Sequence, residues 1–218
     1  MIKQRLGYLV GVFLSFWQTY SFAADIEVKL VGNQASLADI VVYLEPLNDT
    51  TLPVTNKKIV IGQQNKSFTP YISVMQLGSE VTFTNQDDIT HHIYSPIGEN
   101  KFDFKIRAGE KKNKADFTQL GEVAMGCNIH DWMSGYLLII NTPYFEKTNQ
   151  SGLGILTDVQ NGSYQLTVWH PQLKSSENKI VKTITVTKNQ QFEFNVTDLL
   201  EKLPAQKSDE DFDFLDDY

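Results

Sequence analysis

The residues able to do chemistry concentrate in one stretch, Gly126-Cys127-Asn128-Ile129-His130-Asp131-Trp132-Met133-Ser134-Gly135. It holds the only cysteine of the chain, one of four histidines and one of four methionines, with Cys127, His130 and Met133 spaced Cys-x2-His-x2-Met. Thiolate and thioether are soft donors, and imidazole binds copper in either oxidation state. Two histidines and a cysteine in one plane, with a weak axial methionine, form the ligand set of a blue-copper electron-transfer site. Three of those four ligand types lie within seven residues here. A second histidine must come from elsewhere, and the upstream candidates are the neighbours His91 and His92.

Other readings of the stretch stay open at this level. A cysteine is often a small buried hydrophobe and a methionine a gap filler. On a helix, positions 127, 130 and 133 would share one face and make a turn of core. The flanks favour a loop instead: Gly126 and Gly135 bracket the stretch, and Asn128, Asp131 and Ser134 prefer turns. Val123-Ala124-Met125 and Tyr136 to Ile140 read as strands on either side. Zinc is the competing metal, but methionine is not a usual zinc ligand and three ligands do not close a structural zinc site.

The motif resembles the ligand loop of the amicyanins, the short-loop branch of the cupredoxins. Upstream, Val81-Thr82-Phe83-Thr84-Asn85-Gln86-Asp87 followed by His91-His92-Ile93-Tyr94-Ser95 is similar to the cupredoxin strand, Asn/Asp turn and His-Asn-Val-Phe-Ser. The resemblance implies that His91 is the first ligand and that His92 stands where cupredoxins carry asparagine, with His92 as the alternative ligand. It also implies that His130 is the ligand nearest the surface, where a redox partner protein docks. The run Gly-Cys-Asn-Ile-His-Asp-Trp-Met, with His-His-Ile-Tyr-Ser before it and Thr-Pro-Tyr-Phe after it, is similar to periplasmic proteins named methylamine utilization proteins.

The elements around the motif are those of an exported β protein. Lys3 and Arg5 precede a twelve-residue apolar run, Leu6 to Trp17, too short to span a bilayer. Ser21-Phe22-Ala23 then offers a cleavage site, so residues 1–23 read as a secretory signal peptide and the mature chain as periplasmic, with no membrane span. A lone cysteine cannot form an internal disulfide, and a free thiol in an oxidising compartment is a liability unless buried or metal-bound. Removing the leader takes the formal net charge from −7 to −9, and six of the acids lie in the tail from Ser208 to Tyr218. Nothing in this acidic balance suggests a nucleic-acid partner, which would need a basic face.

Short alternating segments separated by turn residues fill the mature chain, the pattern of a sandwich or barrel. The expected fold is all-β: a cupredoxin-like Greek-key β-sandwich over 24–142, a small second β-sandwich over 143–197 similar to the regulatory-like domain of carboxypeptidases, and an acidic tail over 198–218 that reads as disordered and solvating. Asn161-Gly162 reads as a hairpin turn between two strands of the second unit. Its fifty-five residues are few for an independent core, so the strands within 26–44 are candidates to share with it.

Further residues invite weaker readings. His170, in Trp169-His170-Pro171, reads as a strand-end residue rather than a ligand. Lys111, Lys112 and Lys114 read as a solvated loop, with a docking patch as the lesser alternative. Asp87 and Asp88 read as turn formers, because adjacent strand residues face opposite ways. Trp132 either walls the site from water or fills core. Backbone amides near Asn85 and Met133 are the expected donors to the sulfur. No nucleophile with a base, phosphate loop or open metal triad is present, so the chain reads as a redox or copper-delivery protein rather than an enzyme.

Overall fold

A computed structural model describes residues 23–201 except 49, 51, 56 and 115. The expected leader, apart from Ala23, and all but the first four residues of the expected tail lie outside the described residues. Sixteen strands follow in order. They are β1 (Ala23–Val31), β2 (Val41–Pro46), β3 (Ile59–Gln64), β4 (Ser67–Thr69), β5 (Ile72–Gln76), β6 (Val81–Asn85), β7 (His91–Ser95) and β8 (Phe102–Ile106). After them come β9 (Lys111–Lys114), β10 (Gly121–Cys127), β11 (Ser134–Ile140), β12 (Phe145–Lys147), β13 (Leu153–Gln160), β14 (Gly162–Trp169), β15 (Lys179–Val186) and β16 (Gln190–Asn195). Among the described residues the one helical turn is Ser176–Asn178, and no helix is long and apolar enough to cross a membrane.

The strands form four sheets, ordered β4-β3-β6-β9, β5-β11-β10-β7-β8, β12-β2-β14-β15 and β13-β1-β16. Strand side chains alternate between faces, and that alternation shows how the sheets stack. Along β11, Leu137 and Ile139 enter one core with Ile61, Phe83 and Ile93. Leu138 and Ile140, on the other face, enter a second layer with Ile72, Val74, Val41, Tyr43 and Trp169. Along β2, Val42 and Leu44 turn away from that layer into a third core with Ile26, Val28, Leu166 and Val186. Four sheets thus stack with three apolar layers between them. Tyr136 to Ile140 and Ile40 to Leu44 read as unbroken apolar runs because their strands are covered on both faces.

Two expectations need correction, and one that was left open is decided by the pairing. The strands within 26–44 do join those after 143: β1 pairs with β13 antiparallel and β16 parallel, and β2 pairs with β12 and β14. The segment after Pro143 is too short to fill a core alone. Nine N-terminal residues, among them Ile26, Val28, Leu30 and Leu44, complete it. Asn161 is not a hairpin turn, because β13 and β14 lie in different sheets and the chain crosses between them there. Lys111–Lys114 is not a loop but edge strand β9, paired with β6 from Val81↔Lys114 to Thr84↔Lys111. Its sequence lacks apolar alternation because an edge strand can leave its side chains to water. After β16 the Leu199 N–H donates to the Val196 carbonyl, and Leu200 bridges to Leu173.

Candidate metal centre

The candidate donors meet at one end of the first sandwich. His91 opens β7 and Cys127 closes β10. These strands are neighbours, in register at Cys127↔Ile93, so both residues emerge at the same end. The β10–β11 hairpin is closed by the pair Gly126↔Ser134, which leaves residues 127–133 as a tight seven-residue loop. Both bracketing glycines allow aromatic rings to approach closely. A Cβ on Gly126 would lie 3.1 Å from the Tyr94 ring, and one on Gly135 would lie 2.9 Å from Phe68 Cβ. Within the loop the Met133 N–H donates to the His130 carbonyl, 3.0 Å.

Cys127 Sγ lies 3.8 Å from His91 Nδ1 and 3.7 Å from His130 Nδ1. The imidazole rings are 5.1 Å apart between centroids and tilted by 57°. Among the described residues these three make the one cluster of His, Cys, Asp and Glu with ligand atoms close enough to share an ion. The spacing can be tested against metal chemistry. With a sulfur bond of about 2.3 Å, a nitrogen bond of about 2.0 Å and a trigonal angle, sulfur and nitrogen stand about 3.7 Å apart. The donors present therefore fit a metal without moving apart or together. His91 is 0 % exposed, Cys127 4 %, His130 7 % and Met133 1 %. Met133 sits with Cys127 in the core of the first sandwich, so a thioether is within the loop that carries the thiol.

Burial alone pushes the Cys127 thiol up. A hydrogen bond with His91 and the backbone N–H groups of Ile129, His92 and His130 outweigh it and bring the pKa down to about 6. These amides replace the expected ones near Asn85 and Met133. Asn85 instead ties the turn before His91. Its Nδ2 donates to the carbonyls of Ile89 (2.7 Å) and Ile106 (3.1 Å), and its Oδ1 accepts from the Asp87 N–H (2.9 Å).

The structure adds a residue that spacing alone did not assign. Asp87 Oδ2 lies 2.7 Å from His91 Nε2. The same carboxylate accepts the backbone N–H groups of Asn65 at 2.6 Å and Lys66 at 3.0 Å, both at positive φ. Burial raises the Asp87 pKa, but these amides and His91 lower it further than burial raises it. A carboxylate on the far ring nitrogen fixes the tautomer and turns Nδ1 toward Cys127. The available signal was the i, i+4 spacing of Asp87 and His91 across a turn. Asp88 has no such contact.

His92 lies away from the cluster. Its Nε2 is 2.5 Å from Asp103 Oδ1 on β8, and its Nδ1 lies 3.3 Å from Asn128 Nδ2. The Asn128 N–H also donates to the His92 carbonyl at 2.9 Å. His92 thus ties the ligand loop to β8, at the position where the resemblance led one to expect asparagine. Trp132 stacks obliquely on His130, with centroids 5.3 Å apart and planes at 53°. His170 is remote from the cluster, and its Nδ1 accepts the Gln172 N–H at 3.2 Å.

No protein-family model and no curated protein matches this sequence. Among solved structures the chain is similar to a Cu-containing nitrite reductase from Thermus scotoductus SA-01, at 22 % identity over 44 % of this chain with a TM-score of 0.37. It spans a quarter (25 %) of that reductase. It is also similar to a purple cupredoxin from Nitrosopumilus maritimus, at 23 % identity over 38 % of this chain and 98 % of that one, TM-score 0.33. The amicyanin of Paracoccus versutus shows 15 % identity over 45 % of this chain and 98 % of its own, TM-score 0.35.

Proposed function

We propose that this protein is an exported type 1 copper protein that carries single electrons to or from a redox partner protein. The observation that carries the reading is the buried triangle of one thiol and two imidazole Nδ1 atoms, at 3.8 and 3.7 Å. His91, Cys127 and His130 would hold one copper ion, with Met133 as the weak axial donor. Bound there, copper supplies a one-electron Cu(II)/Cu(I) couple.

Each neighbouring group has a defined task. Asp87 orients the His91 ring through Nε2. The amides of Ile129, His92 and His130 stabilise negative charge on Cys127 sulfur, which favours the thiolate as ligand. The β10–β11 hairpin and the His92–Asn128 contact hold the loop in place, so a change of charge at the site meets little rearrangement. His130 keeps a small exposed fraction, and Ile129 beside it is 52 % exposed. That pairing of an imidazole edge with apolar surface suits brief contact with a partner protein.

Copper delivery, or assembly of another exported enzyme, is the second reading, because the same donors bind copper in a carrier that releases it. A thiol 4 % exposed with three amides around it favours retention. The test of the copper reading is the visible spectrum of the copper-loaded protein. An intense thiolate-to-copper band that disappears in Cys127→Ser is the expected result, since a hydroxyl is not a soft, oxidisable donor. A band that persists in the serine variant rejects this coordination.

A further inference from the structure

On one flank of the first sandwich, β8 and β9 are the outer strands of its two sheets. Residues 101–114 carry Lys101, Lys105, Arg107, Lys111, Lys112 and Lys114 against Asp103 and Glu110, in a chain whose net charge is −7. Both carboxylates that line the groove between the strands are already partnered: Asp103 with His92, and Asp116 with Lys114 at 2.6 Å. Lys101, Lys105, Arg107 and Lys111 form no ion pair among the described residues. The groove holds about 620 Å³ and is floored by Phe102 and Phe104. Lys112 lies 5.2 Å over the Phe104 ring and Lys114 4.9 Å over Phe117. One edge of β9 pairs with β6, and no strand among the described residues pairs with the other.

We propose that the acidic segment 208–218 of this same chain docks along the free edge of β9 as an added strand. Its sequence includes Asp211-Phe212-Asp213-Phe214, which alternates acid and aromatic with the period of a strand. Added beside β9, such a segment places its phenylalanines on the face that carries Lys112, Lys114 and the Phe102–Phe104 groove. Its aspartates fall on the face of Lys111. Strand addition supplies main-chain hydrogen bonds for affinity, while the alternate side chains supply selectivity. The charges are complementary, and the rings extend contacts between lysines and aromatic faces that the groove already makes.

The chain is long enough to reach. Glu201 lines the same cavity as Tyr71, two residues beyond the end of β4. From β4 to a strand added outside β9 is four strand spacings, about 19 Å. The nine residues 202–210 extend up to about 30 Å. A docked tail would also neutralise cations next to β7, where Lys105 pairs across from His92. The segment would thereby compete with any acidic partner for that flank.

The test is amide hydrogen exchange of residues 101–117 in the full mature chain. The comparison is a variant with Asp211, Asp213, Asp216 and Asp217 each changed to Asn. The expected result is a loss of protection at 111–114 of about tenfold, as for a weak contact held at the high effective concentration of a tether. The same loss should follow in a Lys111→Glu, Lys112→Glu double variant and in high salt, with β1 and β13 unchanged. Equal protection in the parent and the tail variant overturns the proposal. So does protection that rises with protein concentration, because the occupant is then the tail of a second copy.

Discussion

The second sandwich closes its core with Ile26, Val28, Leu44, Leu166 and Val186, and among the described residues that core holds no cysteine or methionine. The first sandwich has the same kind of core around Ile61, Phe83, Ile93 and Leu137. At one end that core runs on into Cys127 and Met133, with His91 and His130 buried beside them. The two cores bury strands in the same way. What differs is that one end of the first has exchanged apolar side chains for donor atoms and surrounded them with hydrogen bonds. The exchange is tolerated because Asp87, Asn85 and the loop amides satisfy the buried polar groups, which would otherwise cost about 1–3 kcal/mol each.

The sharpest way to break this comparison is to remove a donor. His91→Ala should abolish copper binding, while His92→Ala should keep it, because His91 is 0 % exposed and within the triangle, whereas His92 leans outward to Asp103. Isothermal titration with copper reads both variants. Binding that survives in His91→Ala and fails in His92→Ala shifts the assignment by one residue.

A core substitution in the other sandwich should separate stability from the site. Leu166→Ala removes a fully buried side chain and should cost about 2–5 kcal/mol in urea denaturation. Copper affinity under native conditions should stay unchanged. A parallel loss of copper affinity would mean that the two cores are coupled through the layer of Val41, Val74, Leu138 and Trp169.

Two of the three buried histidines, His91 and His170, offer a contrast in pH. Burial lowers the pKa of His91, but Cys127 and Asp87 raise it further, and the net shift is upward. Burial pushes His170 down from 6.5 to about 4, and Asp39 only partly opposes it. His170 is therefore neutral in the folded protein while the unfolded chain takes up its proton first. Stability falls as pH drops from 6.5 toward 4, by up to about 3 kcal/mol from this residue. His170→Gln should flatten that part of the stability–pH curve measured by denaturant midpoints. Identical slopes in parent and variant contradict the burial argument.

A smaller effect is expected from Asp87→Asn. The amide can still accept a hydrogen bond but no longer carries the charge that orients His91. Copper affinity should fall by about tenfold to a hundredfold, read by chelator competition. An unchanged affinity would assign Asp87 to the Asn65–Lys66 turn alone.

Much of the centre was legible because Cys127, His130 and Met133 lie on one loop, where spacing is geometry. Alternation along a strand said that His91 and His92 cannot both face one site, and only the resemblance implied His91 rather than His92. Asp87 was not assigned, since a carboxylate in a turn has a sufficient local explanation and its reach to His91 is set by the fold of the turn. Asp103 as the partner of His92 depends on the β7–β8 register, which no local pattern encodes. The strand content was legible from alternation. The allocation of β1 was not, because its parallel partner β16 lies some 160 residues away. The lysine-rich β9 escaped because an edge strand need not alternate.

Under the proposed function the site retains bound copper and exchanges single electrons. Voltammetry of the copper-loaded protein beside a challenge with a modest chelator tests it most directly, with Met133→Leu as the companion variant. The expected result is a reversible Cu(II)/Cu(I) wave, copper retained against the chelator, and in Met133→Leu a shifted potential with copper still bound, since an axial donor tunes the couple more than it holds the metal. Rapid loss of copper to the chelator with no reversible wave would contradict it and favour delivery.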